Sequence, residues 1–214
     1  MSVEGQDHTH VNGPAPAGAG TGPVTVEAFF WYSDSHAYEL QPVLDAWRGA
    51  HADRVAFRWI PVDFDRATSG SRQNFKPQQR LHFALEALGA GAFHQRAFTA
   101  IHRDRAHLDT DGAVLAWAAE QGLDEAGFAA AFASDAVESA IRHADALLRA
   151  YGIQGVPALV VDGRFLTGPG VVRETGAGFP GTLAALERLV ARVESGRGGR
   201  GAGRAHPVGP RSGS

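Results

Sequence analysis

No cysteine occurs anywhere in the 214 residues, and this one absence removes more chemistry than any residue present supplies. A chain without thiols forms no disulfide and offers neither the thiolate that attacks nor the second sulfur that resolves in dithiol exchange. The absence fits an oxidising or a reducing compartment equally. Long apolar runs are missing too: no window approaches the roughly 18 apolar residues of a membrane span, so no membrane partner is expected. The amino terminus shows neither a charged n-region nor an apolar h-region, which sets the expectation of a cytoplasmic protein as the chain is written. Strong charge of one sign is also lacking. The net charge is -3 and the twenty basic residues are scattered, so the electrostatic case for nucleic acid fails over the folded part.

What is present divides into three parts. Residues 1–22 are rich in Gly, Pro, Ala and polar side chains, and residues 195–214 read SGRGGRGAGRAHPVGPRSGS. Such compositions bury too little apolar surface to offset the entropy of ordering, so both ends are expected to be disordered tails around one domain, residues 23–194. Arg197, Arg200 and Arg204 among glycines resemble an RGG-type segment, but no aromatic accompanies them to stack on bases, and the reading is a solvated tail.

Within the domain, the run from Val24 is apolar and β-prone and leads into a helix whose apolar side is Tyr38, Leu40, Val43, Leu44 and Trp47. Residues 55–64 (VAFRWIPVDF) read as a second strand, followed by a polar loop, 65–76. Residues 77–152 change to helical period with breaks at Gly89, Gly91, 109–112, 122–124 and 134–135, which gives four or five short helices. Asp109 or Thr110 caps one of them, and Asp124 or its neighbour the next. A strand from Gly155, an Asp162-Gly163 turn and a second strand make a hairpin, and a last helix is expected over about 181–193.

The junction between the first strand and first helix carries Ser33-Asp34-Ser35-His36. A helix amino terminus presents unsatisfied N–H groups and positive dipole, suited to an anion or an acidified thiol. The surrounding segment resembles the signature of DsbA-type thiol-disulfide oxidoreductases, commonly FFWYGCPHCYxLEP. Phe29-Phe30-Trp31-Tyr32, Tyr38, Leu40 and Pro42 match it, and so does the later run AYGIQGVPALVVDGRFLTG. The resemblance spans about residues 24–194. It implies an α/β protein with a thioredoxin fold and an inserted all-helical domain at about 77–150, a cis-proline at Pro157 facing the junction, and a periplasmic place if the amino terminus is mis-assigned.

Set on that signature, Ser33 replaces the glycine, Asp34 the first cysteine, Ser35 the proline and Ala37 the second cysteine, leaving His36 from the CPHC core. The buried acid that the family keeps six residues before its first cysteine is here Ala28. Glu27 is one position out of phase and is expected on the opposite face of the strand. Catalytic residues are therefore none, and the redox positions Asp34, Ser35, His36 and Ala37 are degenerate. What the resemblance leaves is strand addition by an extended or unfolded segment along the residue before the cis-proline. The binding candidates are Val156, Pro157, Trp31, Tyr32 and His36.

Other readings compete at the same residues. Asp34 is first an N-cap, ahead of a carboxylate that imitates a thiolate. A hydrolase triad from Ser33, Asp34, Ser35 and His36 fails because neighbouring residues at a helix start diverge around its axis. Kappa-class glutathione transferases of the same fold carry serine at the catalytic place. Ser35 and Ser33 miss that register by one, and Asp34 would repel the glutathione thiolate, so glutathione is a runner-up partner. Asp34 and His36 with Gln154 make too few donors for zinc, so no metal or cofactor is expected. His82, His94, His102, His107 and His143 have no i, i+4 pair among them and read as surface or capping residues.

Overall fold

The computed structural model describes residues 7–11, 22–63, 76–172 and 178–201, with side chains in the last helix through 197. The described elements run β1 (Thr9–His10), β2 (Val24–Phe30), α1 (Ser35–Ala50), β3 (Val55–Pro61), α2 (Lys76–Ala87), α3 (Phe93–His102), α4 (Asp111–Glu120), α5 (Glu125–Phe132), α6 (Asp135–Ala150), β4 (Ala158–Val161), β5 (Phe165–Thr167) and α7 (Gly178–Gly201). The five strands form one sheet in the order β1-β5-β4-β2-β3. β2 and β3 are parallel, joined through α1, while β4 pairs antiparallel with β2 and β5. A βαβ unit and a ββα unit thus share one sheet, with α2 to α6 inserted between them. This is the thioredoxin arrangement that the resemblance implied.

Strand alternation splits the core. Val24, Val26, Ala28 and Phe30 of β2 and Leu159 and Val161 of β4 face α1, α7 and the helical insertion. Phe29, Ile60, Ala158 and Val160 face the other way, against Ala144, Leu147, Leu148 and Tyr151 at the end of α6. The interior of the insertion, including Leu81, Phe98, Val114, Trp117, Phe128 and Ile141, is continuous with the first of these clusters. Thr110, Asp124 and Ser134 cap α4, α5 and α6, each accepting the N–H three residues on. In the hairpin, Asp162 and Gly163 both have positive φ, as the Asp-Gly signal predicts. The last ladder pair is Val161 with Phe165, so Arg164 intervenes, and its carbonyl accepts from Val11 N–H.

Several sequence expectations change. Part of the segment 1–22 is ordered: Thr9 and His10 pair antiparallel with Leu166 and Phe165, closing the β5 edge. Two residues joined by backbone bonds leave no side-chain pattern to read. β3 ends at Pro61 rather than residue 64, which lies with most of the 65–76 loop outside the described residues. β4 starts at Ala158 rather than Gly155.

The last helix runs well past residue 193, to Gly201. Arg197, assigned from sequence to a solvated tail, donates to the buried carboxylate of Asp162 at 2.5 Å and to the Gly22 carbonyl at 2.5 Å. One guanidinium thus ties α7 to the hairpin and to the start of β2. Arg197→Ala should cost about 3 kcal/mol, because among the described residues Asp162 then keeps only Arg164, at 3.9 Å. Urea denaturation of the variant and the parent measures it. Residues 202–214, with Arg204, lie outside the described part.

Candidate functional site

β2 leaves the sheet at Phe30, and a turn closed by Asp34 N–H on the Trp31 carbonyl (3.2 Å) feeds directly into α1. Asp34 is extended (φ -84, ψ 120), and its Oδ1 accepts from the Ala37 N–H at 2.7 Å. The N-cap reading is therefore the geometry found. Burial raises the Asp34 carboxyl above the ordinary value, opposed by the Ala37 N–H and by His36 and His102. An uncharged cap keeps the hydrogen bond without that burial penalty. Asp34→Asn should hold or raise the melting temperature above the carboxyl's titration, whereas Asp34→Ala should cost about 1 kcal/mol, as read by thermal denaturation of both variants.

Ser35 and His36 are exposed, Trp31, Ser33 and Asp34 half-buried, and Ala37 fully buried. His36 Nδ1 lies 4.0 Å from Asp34 Oδ1, and Ser33 Oγ accepts from Gln78 Nε2 at 2.8 Å. No serine of the cluster bonds His36, so the triad geometry is not formed. Among the described residues no three His, Asp or Glu side chains converge as a metal site, and no helix is long and apolar enough to cross a membrane.

The other wall of the junction is the loop before β4. The last β2–β4 pair is Phe29 with Ala158, and Val156 and Pro157 lead into β4 just beyond it. The Val156–Pro157 peptide is cis. Trp31 and Val156 both pack against the second apolar cluster. Gly168 supports this loop from below: its φ is +148, and a Cβ there would lie 2.8 Å from the Pro157 carbonyl oxygen. Trp31 thus follows β2, Val156 and Pro157 precede β4, and His36 is in the first turn of α1.

Tyr32 is not a rim residue. It is completely buried and turned into the insertion, so its place among the binding candidates is corrected. Its Oη lies 2.9 Å from His94 Nδ1 and 3.4 Å from His82 Nδ1, and its carbonyl accepts from His102 Nε2 at 2.7 Å. His82 and His94, read as surface or capping residues, are buried at 3% and 6% exposure. They stand on different helices twelve residues apart, so no helical spacing announces their meeting. Burial, and then Glu86, push the Tyr32 phenol well above its usual value; burial, and then His82 and Arg48, push His94 well below its own.

Glu27 lies across the sheet from Ala28, as alternation requires. It is buried, paired with Arg58 on β3, and accepts from Tyr151 Oη at 2.8 Å. Burial and Glu27 raise the Tyr151 phenol. Under the junction, Ala28 instead faces Trp59 across the β2–β3 ladder, an apolar pair.

The family model for the DSBA-like thioredoxin domain matches residues 25–175. Among relatives, the thiol:disulfide interchange protein DsbA of Burkholderia cepacia is 35% identical over 90% of this chain and 86% of its own. That of Bordetella pertussis is 32% identical over 86% and 83%. Among solved structures, DsbA of Pseudomonas aeruginosa superposes with a TM-score of 0.78 at 24% identity, over 90% of this chain and 94% of the other, and shows the same fold. DsbA of Xylella fastidiosa gives 0.77 at 25%, over 91% and 99%. A family match across most of the domain, with a third of the residues identical in relatives of similar length, makes this protein a member of the DsbA-like thioredoxin family, one with no cysteine in its sequence.

Proposed function

We propose that this DsbA-family protein has lost dithiol exchange and retains the binding of extended or unfolded polypeptide at the junction of Trp31 and His36 with Val156 and Pro157. The carrying observation is the Val156 loop. Val156 lies just beyond the last β2–β4 pair and packs with half-buried Trp31 against one apolar cluster, and among the described residues neither its N–H nor its C=O is hydrogen-bonded. An incoming strand takes up such groups in β-augmentation and seats alternate side chains against the neighbouring apolar surface. The family works in the oxidising periplasm, where a thiol-free binder of unfolded segments is chemically inert, and we assign the protein there.

Two assays test the reading. Insulin reduction and dithiol oxidation should show no turnover above buffer. Reduced, carboxymethylated and fluorescein-labelled insulin B chain, which has no free thiol, should bind saturably by fluorescence anisotropy. Trp31→Ala and Val156→Asp should each weaken that binding about tenfold, equivalent to roughly 1.4 kcal/mol. Turnover by the pure protein, or binding indifferent to both substitutions, contradicts the reading.

A further inference from the structure

Beneath the junction, the turn at Trp31 to Asp34 is fastened to the helical insertion at three points on two helices. Ser33 Oγ accepts from Gln78 of α2. The Tyr32 carbonyl accepts from His102 of α3, whose ring also stacks on Tyr38 at 4.7 Å. The Tyr32 hydroxyl lies between His94 of α3 and His82 of α2. A phenol has one proton, so it donates to one Nδ1 and accepts from the other.

The outer end of the chain fixes which. His82 Nε2 lies within ion-pair reach of the Glu86 carboxylate, 3.4 Å away and not hydrogen-bonded to it, and the negative charge there favours the tautomer with the proton on Nε2 and Nδ1 bare. Tyr32 therefore donates to His82, and His94 donates through Nδ1 to Tyr32. The proton direction is then His94 to Tyr32 to His82, with His82 Nε2 turned toward Glu86. His82 Nε2 and His94 Nε2 are both buried without a hydrogen-bond partner among the described residues.

A second proton on either imidazole breaks this series. On His82 it turns Nδ1 into a donor, so Tyr32 must reverse toward His94, whose own proton is then driven onto the buried, partnerless Nε2. On His94 it places a cation among Phe30, Trp59 and Phe98. The charged and titratable neighbours are Tyr32 and Asp34 of the turn, Arg48 of α1, His82 and Glu86 of α2, Arg58 of β3 acting on Glu86, and His102 of α3. Among the described residues, Glu86 is the one carboxylate within ion-pair distance of either buried ring, and it meets His82. Arg48 opposes a charge on His94, and burial holds that ring neutral.

We infer that Tyr32, His82 and His94 form a latch that holds the junction turn against the insertion at neutral pH and releases it in acid, loosening the polypeptide site. The inference rests on the binding reading above for its use, but not for its existence. Hydrogen exchange, corrected for intrinsic rates, separates the two. Between about pH 7.5 and about pH 5, amides of 31–38 and 94–102 should lose at least about tenfold protection, while β4 and α7 keep theirs. Tyr32→Phe should show the low protection already at neutral pH, and His94→Leu should keep high protection in acid.

Anisotropy with the labelled insulin B chain should report at least about threefold weaker binding in acid for the parent and a smaller change for His94→Leu. Loss of protection without any binding upholds the latch and ends the binding reading. Protection unchanged by acid, or lost equally throughout the fold, overturns the latch. If His94→Leu fails to fold, Tyr32→Phe decides the matter alone, since an unaltered turn in that variant contradicts the latch.

Discussion

Joint substitution of Asp34→Cys and Ala37→Cys should convert a cysteine-free chain into a measurable oxidase. At position 34 the sulfur would stand where the carboxylate now accepts from the residue 37 N–H at 2.7 Å, at the positive end of α1. Both influences favour the thiolate and lower its pKa below the usual value of about 8.5. At position 37 the side chain is fully buried, three residues on along the same helix face, so its sulfur is shielded from solvent within reach of its partner. Turnover in the insulin assay should rise roughly tenfold or more above buffer, a change in barrier of about 1.4 kcal/mol at least.

It should still be a poor enzyme, because position 28, under position 34, carries no carboxylate. Ala28 faces Trp59 in an apolar pair, and Glu27 is held on the far side by Arg58 and Tyr151. Adding Ala28→Glu would not repair this. The new carboxylate would be buried beside Trp59 without a cation, at a cost of about 3 to 5 kcal/mol. A double variant that folds, by near-ultraviolet circular dichroism, and yet shows no turnover would mean that the frame has decayed along with the sulfurs.

Stability should fall steeply in mild acid. The His94 pKa is depressed in the fold by burial, and then by His82 and Arg48, so the unfolded chain takes up the proton first. The contribution is fully present above the unfolded value of about 6.5 and is lost as pH falls toward the folded value. The slope is about 1.4 kcal/mol per pH unit for one proton. The Tyr32 phenol acts at the other extreme: its pKa is raised, so its contribution is present below about 10 and lost above it. Urea midpoints against pH should therefore show a plateau with falling limbs on both sides. His94→Leu should flatten the acid limb and leave the neutral midpoint near or above that of the parent, since its neighbours Phe30, Trp59 and Phe98 are apolar. An acid limb unchanged in that variant would move its origin elsewhere.

What could be read in advance followed local rules. The apolar run of β2, the caps Thr110 and Asp124, the Asp-Gly hairpin and the Asp34 N-cap are each set by residues a few positions apart, and each appears in the structure. The displacement of Glu27 from the junction followed from the period of two along a strand. The parts that escaped are made by distant segments. β1 exists because β5 offers it backbone partners, and α7 extends because Arg197 finds Asp162. Tyr32, His82 and His94 meet only when two helices of the insertion pack on the turn. Family membership depended on sequence likeness, since a strand-helix-strand order is shared by many folds.

Binding of an unfolded segment at the Val156 loop, as proposed, is tested most directly by amide exchange. Amide exchange of the native chain, followed with and without saturating carboxymethylated insulin B chain, should slow at Val156 and its loop and at Trp31, with α4, α5 and α7 unchanged. Binding that protects another surface and leaves Val156 exchanging freely, or no binding at millimolar peptide, would contradict it.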